Sequence, residues 1–101
     1  MTERVFLSVD PRTLRLPSGR TTGVDPIKFS RQLSRFGISV EGMPPLIVPR
    51  GRGGELQIMD GVTRATRVAR LFPGQAILVE ISEDRPNYDL SRYPTLGEVL
   101  P

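Results

Sequence analysis

The chain has 101 residues and a mass of 11.2 kDa, enough for one small domain that buries roughly two thirds of its unfolded surface, and too little for a second core. Cys and His are both absent, which excludes disulfides, thiolate and imidazole metal sites, cysteine nucleophiles and any Ser-His-Asp triad. The formal net charge is +3, and Lys28 is the sole lysine, so 13 of the 14 basic residues are Arg.

Taken in chain order, Arg4-Val5-Phe6-Leu7-Ser8-Val9 has the apolar, β-branched content of a first strand, ended by Asp10-Pro11. Residues 11–24 mix Pro17, Ser18, Gly19, Thr21, Thr22 and Gly23 with Arg12, Arg15 and Arg20, and by composition they read as a loop. Asp25-Pro26 then supplies an N-cap and a first-turn proline. With Ile27, Leu33 and Phe36 at helical spacing and Gly37 as the C′ residue, a helix is expected over 26–36.

Gly42-Met43-Pro44-Pro45 is a stiff lead into Leu46-Ile47-Val48, an apolar run typical of a buried strand. Arg50-Gly51-Arg52-Gly53-Gly54 reads as a turn. Glu55-Leu56-Gln57-Ile58-Met59 alternates, so 46–59 is expected to form a β-hairpin. Asp60-Gly61 opens a second helix over about 62–72. Its apolar face is Val62, Ala65, Val68, Ala69 and Phe72, and Pro73-Gly74 stops it. Ala76 to Ile81 is the fourth strand. The expected fold class is α+β, a small mixed four-stranded sheet with two main helices over residues 1–82. A polar segment, 83–101, follows, in which Thr95-Leu96-Gly97-Glu98 has capping-box spacing for one helical turn. No apolar run approaches the length of a membrane span, and no apolar h-region follows Met1. A cytoplasmic protein with no membrane partner is therefore the expectation.

The stretch where chemistry could sit is Met59-Asp60-Gly61-Val62-Thr63-Arg64-Ala65-Thr66-Arg67. A strand passes through Asp-Gly directly into a helix, and such a turn points the first free helical N–H groups outward, where the helix dipole favours an anion. Gly61 would let the backbone approach that anion, Thr63 adds a hydroxyl, and Arg64 follows at the border of the apolar stripe. The bland alternative is that Arg64 pairs with a carboxylate such as Asp60 and braces the turn. Asp60 has three candidate roles: helix cap, Mg²⁺ ligand or general base. Arg67 and Arg70 read as solvated-face residues, and Arg67 is also a candidate phosphate contact. Arg50 and Arg52 are candidate accessory phosphate contacts from the hairpin.

The order of these elements, with Pro44-Pro45-Leu46-Ile47-Val48 followed by Gly61-Val62-Thr63-Arg64, resembles the ParB/sulfiredoxin superfamily over about residues 4–81. Members typically read Pro-Pro-Ile-Val-Val, then Gly-x-x-Arg at a helix start. The resemblance implies that Gly61, Thr63 and Arg64 bind the phosphates of a nucleotide, with Asp60 and Arg67 as further candidates beside them. It also implies a bacterial context, with short domains of this kind similar to modules of polymorphic toxins. Sulfiredoxins carry Cys where this chain has Val62, so peroxiredoxin repair is excluded. The Glu-Asn-x-x-Arg motif and the helix-turn-helix of chromosome-partition ParB are absent too.

Three functions follow as expectations. The first is a nucleotide- or phosphate-binding module. The second is a Mg²⁺-dependent nuclease or phosphotransferase in which Asp60 and a carboxylate such as Glu41 or Glu55 hold the metal. The third is a ligand-free protein-interaction domain. A net charge of +3 supports at most weak, non-specific nucleic-acid binding.

Overall fold

Buried and exposed residues alternate in Leu46-Ile47-Val48 and again in Ile77-Leu78-Val79, which is the period of strands with one face on a core. The computed structural model describes residues 3–20, 26–36 and 43–100. It is a small α+β domain in the order β1 (Val5–Val9), α1 (Pro26–Phe36), β2 (Leu46–Arg50), α2 (Val62–Leu71), β3 (Ile77–Asp84) and α3 (Leu96–Val99). Short 3-10 turns occupy Pro11–Thr13, Ser18–Arg20 and Arg52–Gly54. Its Cα radius of gyration is 13.2 Å.

Among the described residues the sheet has three strands in the order β1-β3-β2, with β1 antiparallel and β2 parallel to β3. Val5, Leu7 and Val9 lie opposite Ile81, Val79 and Ile77, and Leu46 and Val48 lie opposite Val79 and Ile81. These residues share the inner face. The core beneath it takes Ala65 and Val68 from α2, Leu96 from α3, and Leu14, Leu16 and Ile58 from irregular segments, all fully buried.

Four strands are expected, and among the described residues the fourth does not form, for a local reason. The chain does reverse through Arg52–Gly54, where Gly53 and Gly54 take the positive φ of the turn. Antiparallel pairing then begins at Arg50 and Leu56, and Gln57 N–H reaches Pro49 O at 3.3 Å. It goes no further because Pro49 has no N–H to return. Residues 56–58 turn instead to Arg15: Arg15 N–H donates to Leu56 O and Ile58 N–H to Arg15 O, both at 2.8 Å.

Arg15 is also bonded on its other side. Leu16 N–H donates to Pro94 O at 2.9 Å and Leu96 N–H to Leu14 O at 2.8 Å. The segment expected to be a loop thus forms the centre of a small second layer, with 56–58 on one flank and 94–96 on the other. The Arg15 guanidinium holds the layer together through Glu55 at 3.1 Å and Tyr93 O at 2.8 Å. The C-terminal segment carries the expected helical turn, capped reciprocally by Thr95 and Glu98, and buries Leu90 and Leu96.

The helix expected over 26–36 is present at those bounds, while its expected caps, Asp25 and Gly37, lie outside the described residues. It rides on the surface. Leu33 is half-buried, Ile27 is 66% exposed, and no described α1 side chain belongs to the central cluster.

Candidate functional site

Helix α2 starts at Val62, and its N-cap is Gly61 at φ +105°, ψ 20°, in the left-handed region. The first helical bond runs from Ala65 N–H to Gly61 O at 2.9 Å, so the N–H groups of Val62, Thr63 and Arg64 have no acceptor within the helix. Asp60 does not cap this turn. The expected Asp N-cap is replaced by the glycine, and Asp60 is exposed without a hydrogen bond to the described residues. The reason is geometric: a side-chain cap must come from the residue whose backbone precedes the first helical position, and that residue is Gly61.

Gly61 is required for packing. A Cβ built there would lie 2.2 Å from Leu46 Cδ2 and 3.2 Å from Arg64 Nη2. The Arg64 side chain therefore folds back toward the helix N-terminus, as helical side chains do, and sets its fork beside the turn. Arg64 is half-buried. Its Nη1 donates to Pro44 O at 3.4 Å, and it forms no ion pair with Asp60, so the turn is not braced by a carboxylate.

Thr63, at the second helical position, faces α1. Lys28, Arg31 and Arg35 recur there at the spacing that puts them on one helical face. Together the four residues line an open crevice of about 250 Å³. Among the described residues, none that lines the crevice is acidic, and none in the first turn of α2 is. Sequence reasoning missed this contribution of α1. Its signal was the i, i+3, i+7 spacing of the cations, overshadowed by the apolar positions used to define the helix.

Arg67, expected on the solvated face, is instead 1% exposed. Its Nη2 donates to Met43 Sδ at 3.7 Å, and burial pushes its pKa below the ordinary arginine value. The cause is that α2 is covered on more than its apolar stripe: Thr66 is buried as well, bonding Val62 O at 2.7 Å. Arg70 remains exposed, with its guanidinium 5.3 Å from the centre of the Phe29 ring.

The hairpin arginines are not brought to this turn. Leu46, which touches Gly61, and Arg50 sit at opposite ends of β2, about 13 Å apart along the strand. Arg50 is held in a two-point pair with Asp84, and Arg52 N–H bonds Tyr88 O at 2.8 Å. Of the carboxylates expected beside Asp60, Glu55 is held by Arg15 and Glu41 lies outside the described residues. Among the described residues no acidic cluster suited to a metal ion occurs, nor any helix long and apolar enough to cross a membrane.

Comparisons with protein-family models, with curated proteins and with solved structures found no match for this chain.

Proposed function

We propose that this domain binds a phosphate-bearing ligand at the start of α2, and that it is a ParB-like member of the ParB/sulfiredoxin superfamily. The observation that carries the binding reading is the crevice in which Thr63 meets Lys28, Arg31 and Arg35 of α1. It adjoins the three N–H groups that open α2. A helix N-terminus and a group of cations here favour the same charge at the same place. Arg64 adds a fork of donors of which the fold uses one, in a single long bond to Pro44 O. The family reading is supported by the motif Gly61-Val62-Thr63-Arg64 at a helix start and by the succession β1, α1, β2, α2, β3. With two or more cations along α1, the ligand is a polyphosphate, such as a nucleoside di- or triphosphate.

The test is a thermal-shift series with pyrophosphate, ATP, CTP and GTP, each with and without Mg²⁺. Ligand at one hundred times its Kd stabilises the fold by about 2.7 kcal/mol, which raises Tm by roughly 10–20 °C in a domain of this size. Arg64→Ala and Arg31→Ala should abolish the shift and leave the unliganded Tm within a few degrees of wild type. Absence of any shift with all four ligands, or a shift indifferent to both substitutions, refutes the reading.

A further inference from the structure

The large exposed apolar residues are not scattered evenly. Val5, Phe6 and Leu7 are consecutive on β1 and exposed by 41%, 40% and 37%. Leu78, also exposed, is paired with Ser8 on the neighbouring strand. β1 is an edge strand: β3 lies on one side of it and no strand of the described residues on the other. An edge of this kind presents a row of backbone donors and acceptors ready to pair. Natural edges are blunted by Lys, Pro, bulges or brevity. Val5-Phe6-Leu7-Ser8-Val9 has no Lys and no Pro, and its pairing with β3 is continuous.

We propose that β1 pairs with β1 of a second copy of this chain, antiparallel about a two-fold axis at Leu7, joining the two three-stranded sheets into one. The strand is complementary to itself in this register. Leu7 faces Leu7 of the other copy, and Val5 faces Val9, so the inner-face residues meet apolar partners. Phe6 faces Ser8 on the outer face. Arg4 faces Asp10 at each end of the strand pair.

Neighbouring registers do worse. Centred on Phe6, the pairing sets Arg4 against Ser8 and Glu3 against Val9. Centred on Ser8, it sets Arg4 against Arg12 and Phe6 against Asp10. Like charges directly opposite are destabilising, and opposite ones stabilising. Arg4 is already held on the outer face, its guanidinium 2.9 Å from Glu80 and 5.1 Å from the centre of the Phe6 ring. It is thus poised at the strand end without further ordering. The complementary charges at both ends of one strand select a second copy over an unrelated peptide. The edge lies across the sheet from β2, where Leu46 touches Gly61, so pairing and anion binding succeed or fail separately.

Sedimentation equilibrium from micromolar to millimolar chain is the test. Wild type should pass from 11.2 kDa toward twice that mass. Leu7→Lys, which sets like charges face to face on the two-fold axis, should raise the dissociation constant about ten-fold or more. Arg4→Asp alone and Asp10→Arg alone should each be monomeric. Their mixture should form a heterodimer, because both strand ends then carry opposite charges. Asp10 also caps the turn at Pro11–Thr13 by accepting from Arg12 N–H at 2.9 Å. Amide hydrogen exchange on the wild-type chain therefore supplies a second readout: protection at residues 5–9 should rise with concentration. A wild-type mass fixed at 11.2 kDa throughout, a dimer indifferent to Leu7→Lys, or concentration-dependent protection confined to other segments overturns the proposal.

Discussion

Replacing Gly61 by Ala tests how the start of α2 is built. Two costs arise. At φ +105° an L-residue is strained by about 1–2 kcal/mol. The new Cβ also meets Leu46 Cδ2 at 2.2 Å, well inside van der Waals contact. A surface leucine would swing aside, but Leu46 is fully buried within the central cluster, so its displacement forces repacking at about 1–3 kcal/mol. The expected loss is about 2–5 kcal/mol, against a total of about 5–15 kcal/mol for a chain of this length. In urea, with a slope of about 1.5 kcal/mol per molar, the midpoint should fall by roughly 1.5–3 M. Arg64 Nη2, 3.2 Å from the same point, can move outward at little cost and adds nothing to this figure.

The steric part can be isolated. Leu46→Val removes the colliding methyl and by itself costs about 1 kcal/mol. In the double variant the overlap is gone and only the backbone strain remains, so the two changes should couple favourably by about 1–3 kcal/mol. A Gly61→Ala loss below about 1 kcal/mol, or additivity within about 0.5 kcal/mol, would show that the close approach of the turn to β2 is not what requires glycine.

Two further outcomes follow. Leu16→Ala and Leu96→Ala each empty a fully buried site in the layer centred on Arg15, and each should cost about 2–5 kcal/mol by urea denaturation. A loss under about 1 kcal/mol at either position would place that segment outside the cooperative fold. Stability should also have an acid limb. The Arg4 hydrogen bond lowers the Glu80 pKa, the Arg50 hydrogen bond lowers that of Asp84, and the Thr95 amide lowers that of Glu98. Their folded values lie below their unfolded ones, so their contributions are complete above the ordinary carboxylate range near pH 4 and vanish as pH falls through the depressed values. Urea midpoints followed from about pH 6 to 2 should drop in that window. The drop should be shallower in Glu80→Gln and Asp84→Asn, and equal slopes in wild type and both variants would contradict this.

Punctuated elements could be read from the letters alone. Pro26 opens α1, and Pro73-Gly74 follows the last turn of α2. The capping box at Thr95 and Glu98 marks α3. These signals are local, because a cap or a proline acts on its own turn. What stayed hidden depends on distant partners. Residues 56–58 alternate as a strand should, yet their backbone bonds go mostly to Arg15, a choice made by Pro49 and by the position of Leu14 and Leu16. The residues around Arg15 looked like a loop because Pro17, Ser18 and Gly19 dominate the composition. The trace of burial was the single alternation Leu14-Arg15-Leu16, whose two leucines are fully buried.

The same limit applies at the start of α2. The Gly61-to-Arg64 motif was visible in the sequence, and so was its place at a helix start. What the letters did not show is that Leu46 already fills the space beside Gly61. On the proposed reading, the anion would therefore approach from the Thr63 side, where Lys28, Arg31 and Arg35 of α1 line the crevice. Removing cations from α1 should consequently weaken phosphate binding more than changing Asp60, which stands exposed without a hydrogen bond to the described residues.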